Sequence, residues 1–464
     1  MPFISKKNDP ELYAYRRGLH FAFFNALNWQ VAVGTPTVLF MEHLGANPFE
    51  VGLVFAWTFL LTPAQVVATT LLPRLGFKKL TLLGWGARGW FLLVPLGLSL
   101  YAPESRVGWS IYSMVTAMFF YSLSRAVGAA AITSWLYGLV PASIRGRYWS
   151  TDQMMGGIAA VGTLAVCALL FAVLPPYWAF TIQYLIAIFG AWMALRCLGS
   201  LPDVERPKTM SLRYVASKTP KLMFQPGAFR YYLWVAVLFF VVTTPIGPFT
   251  AFYLKSSVGL GAWQIMLFTM LQYLGVIAGN WFMRSRTDRV GAKPFLRLSF
   301  STYAVIGAGW WCYLHAGGWM GAALPVLYFL VGVGAGCFTT SNLNFLAKNL
   351  PEGDRALAVA VHSAITAFLG GFSPALWGFY LRGSDGKSLD LAAFEIFFIC
   401  TVVGAVALLL LSRRLTEKTG HVKPLLEGSW LLRPFRAMTY LINLVEEPAP
   451  QDAKAPARDV DEQR

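Results

Sequence analysis

The sequence predicts an all-α polytopic membrane protein whose twelve transmembrane helices form two pseudo-symmetric six-helix bundles. Three observations predict it. The 464 residues are 56% hydrophobic and only 13% charged, an apolar excess beyond that of a soluble domain. Twelve apolar stretches each approach the ~20 helical residues needed to cross a hydrocarbon layer of ~30 Å, and their unbroken apolarity excludes the alternating strands of a barrel. Short signals in the first six stretches recur about 210 residues later: Thr35-Pro36 as Thr244-Pro245, Arg74/Gly76/Lys78 as Arg289/Gly291/Lys293, and Pro141/Arg145 as Pro351/Arg355.

In chain order, residues 1–18 are a basic amino-terminal segment expected in the cytoplasm. Residues 19–198 form the first bundle, with spans expected at 19–42, 50–72, 80–101, 108–133, 152–174 and 177–198. The first span lacks a small-residue cleavage site after its apolar part, so it reads as a permanent helix and not a signal peptide. Residues 199–229 are polar, basic and interrupted by proline, the character of a linker between halves. Residues 230–412 form the second bundle, with spans at 230–254, 263–284, 295–316, 320–346, 357–381 and 391–412. The tail, 413–464, carries apolar residues at mixed helical spacing from Trp430 to Leu444, which predicts a helix lying on the inner leaflet. From Glu446 onward Pro, Ala and charge predict disorder.

A formal net charge of +16 would suggest nucleic acid in a soluble chain, but here its distribution decides. The loops and ends on the amino-terminal side hold 32 Lys and Arg, while the opposite loops hold Arg106, Lys255, Arg382 and Lys387. That asymmetry places both termini in the cytoplasm of a plasma membrane, the inner membrane of a bacterium, and gives no reason to expect a nucleic-acid partner. The five cysteines show no metal spacing and read as buried small hydrophobes. No cofactor is expected, no catalytic cluster argues for a membrane enzyme, and the chain is expected to be monomeric.

Residues 286–294, RTDRVGAKP, resemble the signature between helices eight and nine of the major facilitator superfamily, G-x-x-x-D-R-x-G-R-K. Asp288, Arg289, Gly291 and Lys293 match; Arg284 stands at the leading glycine and Ala292 at the ninth position. Gly291 permits the positive φ of a tight reversal, Lys293 can meet lipid phosphate, and Asp288 can accept from Arg289 or cap a neighbouring helix. The first-half copy at 72–80 keeps Arg74, Gly76 and Lys78 but has Pro73 in place of the aspartate. A second resemblance lies at 122–131, where Arg125 fits the superfamily's buried-arginine motif although Gly128 comes one residue early. The resemblance implies a secondary transporter whose halves rock about a midplane site. It makes these signature residues, with Arg145 and Arg355, an inner gate. The bland reading is that both loops are basic turns serving topology alone.

An arginine near the bilayer centre costs about 2.5–3.5 kcal/mol on insertion scales, and no carboxylate in the sequence is an obvious partner for Arg125. This makes Arg125 the leading substrate residue and a small organic anion the first expectation. Polar residues that fall where a central cavity would be lined complete the expected site: Asn25, Asn28, Gln65, Thr243, Thr244, Gln272, Asn342 and Asn344, with Trp29 and Trp57 placed to stack on a substrate ring. Each polar residue alone is more often interhelical glue than a ligand contact. Arg88, nearer the cytoplasmic end, is equally explained by snorkelling. A neutral polar solute such as a sugar is the second expectation, and a non-transporting sensor or assembly factor on the same fold is the third. His362, Glu42 and Asp152 are the candidates for carrying a coupling proton.

Overall fold

The computed structural model describes residues 9–417 apart from 47, 102–107, 208–210, 261, 285, 317–320, 352 and 382–390. The expected tail helix at 430–444 and the expected disordered end lie outside the described residues. A short helix α1 (Pro10–Ala14) is followed by α2 (Arg16–Ala32) and α3 (Thr35–His43), then α4 (Pro48–Leu60), α5 (Ala64–Ala68), α6 (Leu72–Phe91) and α7 (Leu93–Tyr101). Three long helices complete the first half: α8 (Gly108–Leu139), α9 (Arg145–Val173) and α10 (Pro176–Gly199). The linker itself holds a helix, α11 (Leu212–Phe224), whose start Ser211 caps by accepting from the Tyr214 amide. The second half contains α12 (Ala228–Thr243), α13 (Ile246–Ser256), α14 (Ala262–Arg284), the single turn α15 (Thr287–Val290), α16 (Lys293–Ala316), α17 (Ala323–Asn349), α18 (Arg355–Tyr380) and α19 (Leu391–Leu411).

Among the described residues, seven helices are long and apolar enough to cross a membrane, or up to eight if a bent pair counts as one span. Several of the expected spans are divided by a break. The breaks coincide with Thr-Pro pairs: α2 gives way to α3 at Thr35-Pro36 and α12 to α13 at Thr244-Pro245, the repeated signal, and α4 to α5 at a further pair, Thr62-Pro63. Threonine hydroxyls satisfy carbonyls that such breaks expose. Thr37 donates to the Val31 carbonyl at 2.8 Å, and Thr244 to those of Phe240 at 2.6 Å and Gly370 at 2.7 Å.

Helix pairing repeats between halves. The contacts of α6 with α8, α4 with α8, α2 with α9, α2 with α10 and α6 with α10 correspond to those of α16 with α17, α14 with α17, α12 with α18, α12 with α19 and α16 with α19. The halves meet where α9 packs on α14 and α17, and where α18 packs on α5 and α8. Large apolar side chains such as Trp90, Val173 and Leu376 point outward, as a lipid-facing surface requires. The bundle end carrying α1, α11 and α15 is the lysine- and arginine-rich one, called the basic end below.

Candidate transport cavity and gate

A cavity of about 390 Å³ opens between the halves, lined by Asn25, Trp29 and Gln30 of α2, Trp85 of α6, Thr133 of α8, Trp149, Asp152 and Gln153 of α9, Tyr273 of α14 and Thr339 of α17. Asn25 and Trp29 are four residues apart, one helical turn, and so share a face. Asp152 lies seven residues into α9, about 10 Å along it at 1.5 Å per residue. The sequence reading put this carboxylate at a span edge because it started the helix at 152; α9 starts at Arg145, which carries Asp152 into the cavity wall. Gln153 donates to Asp152 Oδ2 at 3.3 Å, and Tyr273 donates to Gln30 Oε1 at 3.0 Å, joining the halves across the cavity.

Behind this wall stand two arginines. Arg88 does not snorkel: it is 2% exposed, its guanidinium lies 4.4 Å from the Trp85 ring centroid, and its Nη2 donates to Asn25 Oδ1 at 2.6 Å. Arg125 is not part of the cavity lining. Its Nη2 donates to the Thr58 carbonyl at 2.8 Å and its guanidinium lies 5.2 Å from the Trp29 ring centroid. A backbone carbonyl and an aromatic face thus meet part of the guanidinium, while its buried Nε has no hydrogen-bond partner among the described residues.

Of the other expected lining residues, Asn25 and Trp29 face the cavity and the rest do not line it. Asn28 is interhelical glue, accepting from Tyr121 Oη at 2.7 Å and donating to the Ala187 carbonyl at 3.0 Å. Trp57 packs edge-on against Phe119 and Gln65 is buried. Thr243 bonds its own helix at the Phe239 carbonyl and Thr244 is spent on the break described above. The Gln272 carbonyl lies where a Cβ on Gly332 would sit, 1.8 Å away, so α14 and α17 approach backbone to backbone. Asn342 accepts from Tyr232, and Asn344 donates to the Thr340 carbonyl. His362 is 2% exposed, stacked 5.8 Å from the Tyr232 ring and away from the cavity. The side chain of Glu42 lies outside the described residues. Sequence reasoning missed Gln30, Trp85, Thr133, Trp149, Gln153, Tyr273 and Thr339; Gln30 and Gln153 carried the same signal as Gln65, an amide in an apolar span.

At the basic end the repeated signature makes two equivalent turns. Gly76 has φ 77° and Gly291 φ 90°, a left-handed backbone that glycine adopts without strain. A carboxylate just beyond the sixth helix of each half holds the chain after the turn. Asp203 accepts from the Lys78 amide at 3.1 Å, and Lys78 Nζ returns to the Leu201 carbonyl at 2.7 Å. Glu417 accepts from the amides of Ala292 and Lys293, both at 2.9 Å, and from Lys348 Nζ at 2.7 Å. Arg74 and Arg289 are exposed on these turns.

Between halves the arrangement is not symmetric. Asp288 accepts from the amides of Gly146 at 2.6 Å and Arg147 at 3.0 Å at the start of α9, where the helix dipole favours an anion. Burial outweighs these bonds and the charges of Arg147 and Lys348, and pushes the Asp288 carboxyl up to about 6. Pro73 occupies the equivalent first-half position and has no carboxylate. At the matching helix start, Asp354 is held by the linker helix through Tyr214 Oη and Lys218 Nζ, the latter at 3.4 Å. Arg145 closes the α8–α9 turn by donating to the Tyr137 and Val140 carbonyls at 3.0 and 3.1 Å, while its counterpart Arg355 is exposed.

Two pseudo-repeated helix bundles around a shared polar cavity define the fold of a secondary membrane transporter. The sequence pattern of the Major Facilitator Superfamily matches residues 20–374 and again 264–445, and the chain belongs to that superfamily. A maltose permease of Geobacillus stearothermophilus is 30% identical over 140 residues, 29% of this chain and 32% of the permease, so the chain spans about a third of that relative's length. Among solved structures, the proton:xylose symporter XylE bound to 6-bromo-6-deoxy-D-glucose has a TM-score of 0.69 at 13% identity, covering 91% of this chain and 100% of that one. The Escherichia coli fucose:proton symporter FucP gives 0.65 at 12%, covering 88% and 100%. The human organic anion transporter TETRAN gives 0.62 at 12%, covering 87% and 98%. At these identities the likeness shows the fold.

Proposed function

We propose that this transporter carries a neutral, sugar-like solute through the cavity between its halves, with Asp152 as the proton-coupling group and the basic end facing the cytoplasm. The observation that carries the proposal is the composition of the wall. Asn25, Gln30, Gln153 and Thr339 offer donors and acceptors beside Trp29, Trp85 and Trp149. Hydroxyl-rich rings need both kinds of partner on their edges and an apolar surface on their faces. The volume falls within the range of small-molecule sites. An organic anion would need a guanidinium on the cavity, and neither Arg88 nor Arg125 is among its lining residues. The partial identity to a maltose permease and the shared fold with xylose and fucose symporters agree with a sugar.

In this reading the halves rock about the cavity, the Asp288 latch closes the cytoplasmic side, and breaks at Thr35-Pro36 and Thr244-Pro245 let the first helix of each half bend. The purified transporter is tested by thermal shift with D-xylose, L-fucose and maltose against benzoate and citrate, followed by counterflow in proteoliposomes. Stabilisation and exchange by a sugar are expected; stabilisation by carboxylates alone overturns the sugar assignment.

A further inference from the structure

The two arginines behind the cavity wall are only partly satisfied by the bonds they make. Arg88, 2% exposed, gives Nη2 to Asn25, and Arg125 gives Nη2 to the Thr58 carbonyl. The Nε of each is buried without a hydrogen-bond partner among the described residues, and so are Trp57 Nε1 and Thr58 Oγ1 on the stretch of α4 that meets Arg125. Guanidinium and indole N–H groups can only donate, so what these nitrogens lack is an acceptor.

Charge is uncompensated as well. Among the described residues no carboxylate pairs with Arg88 or Arg125, and Arg125 feels the like charge of Arg88. The Tyr121 phenol lies within electrostatic reach of both guanidiniums, but its hydrogen is already given to Asn28 Oδ1 at 2.7 Å, so it brings a dipole and no counter-charge. Trp85 Nε1 donates to the Arg125 carbonyl at 3.2 Å, tying α6 to α8 and holding the two arginines on one helix pair.

We propose that Arg88 and Arg125 hold a small inorganic anion of the chloride class, bound as a counter-ion behind the solute cavity and separate from it. Two cations withdrawn from water without an opposite charge are costly. A water molecule could accept from either Nε but carries no charge; a halide accepts several N–H bonds at once and offsets part of the charge. An organic acid in the cavity would meet indole first, because Trp85 and Trp29 line the cavity and lie 4.4 and 5.2 Å over the two guanidiniums.

The test uses the purified full-length protein with no solute present, so its outcome is independent of the sugar assignment. Sodium methanesulfonate, whose anion has the same charge and more bulk, is exchanged for sodium chloride at constant ionic strength. Chloride is expected to raise the melting temperature by several degrees and to saturate in the millimolar range. Arg88→Gln and Arg125→Gln are each expected to remove most of that saturable rise, while Arg213→Gln, at an exposed position of α11, keeps it. Crystals of the unaltered protein grown with bromide are expected to show an anomalous peak within hydrogen-bond reach of Arg88 or Arg125, which locates the ion even where a variant fails to fold. Equal melting in chloride and methanesulfonate, a saturable rise that survives both substitutions, or crystals without bromide at this pair overturns the proposal.

Discussion

Arg88 and Asn25 form a donor–acceptor pair at 2.6 Å immediately behind the cavity wall. A guanidinium can only donate, so the pair fixes which end of the Asn25 amide is oxygen and leaves its nitrogen to serve the solute. Arg88→Met frees the amide to turn and leaves its oxygen without the charged donor. Solute affinity is expected to fall about tenfold, the worth of one such hydrogen bond, while Arg88→Lys keeps part of it. Calorimetric titration of the sugar that gives the largest thermal shift measures both; equal affinity in Arg88→Met refutes the pairing's role.

Asp152 is the carboxylate in the cavity lining. Asp152→Asn is expected to abolish accumulation of solute driven by a pH gradient while leaving counterflow within about threefold of the parent, because exchange needs binding and rocking but no net proton movement. Gradient-driven accumulation that survives the change removes Asp152 from the coupling step.

Under the proposed alternating access, the latch assigned to Asp288 should respond to pH. Burial holds its carboxyl at about 6 in the closed arrangement, above the usual value near 3.9 that a hydrated, opened aspartate would have. The closed state therefore binds the proton more tightly. Closure is favoured as pH falls through 6 toward 4 and loses that advantage as pH rises past 6. Between pH 7 and pH 5 the closed-to-open ratio is expected to rise about tenfold, read as slower labelling of Thr339→Cys from the basic end by a membrane-impermeant maleimide, with the exposed Cys312 and Cys400 replaced by serine. Asp288→Asn should flatten this profile; an unaltered profile assigns the pH response elsewhere.

Gly291→Ala should destabilise the second half. An alanine at φ 90° is strained by roughly 1–2 kcal/mol, and its Cβ would lie 2.8 Å from both carboxylate oxygens of Glu417. Gly76→Ala meets the same strain, with Arg206 Nε at 2.8 Å. Gly162→Ala, where a Cβ meets nothing within 4 Å, is the control. Both turn variants should lower the melting temperature relative to it; melting temperatures equal to the control's would show that these turns tolerate a side chain.

The fold was legible because a bilayer imposes length and apolarity on each helix, and because duplication wrote the same punctuation twice. The breaks at Thr35-Pro36 and Thr244-Pro245 follow from proline chemistry alone. The site was less legible. Asp152 was hidden by the length of α9, whose first two turns are too polar to look membranous. Arg88 and Arg125 are one turn's worth of ambiguity each: which side of a wall an arginine takes depends on neighbours such as Asn25 and Thr58 that are 63 and 67 residues away. The contacts of Asp203 and Glu417 were invisible for the same reason, since loop acids reveal nothing until their partners are brought to them.

The two turns at Gly76 and Gly291 each keep a carboxylate, Asp203 and Glu417, at positions 214 residues apart. Those ties are internal to one bundle, so they stiffen it, and duplication has preserved both. The ties that cross from one bundle to the other have diverged into an aspartate on one flank and a tethered linker helix on the other. Under the proposed alternating access, opening would begin on unequal flanks, and a rocking motion started this way would unzip from one side before the other.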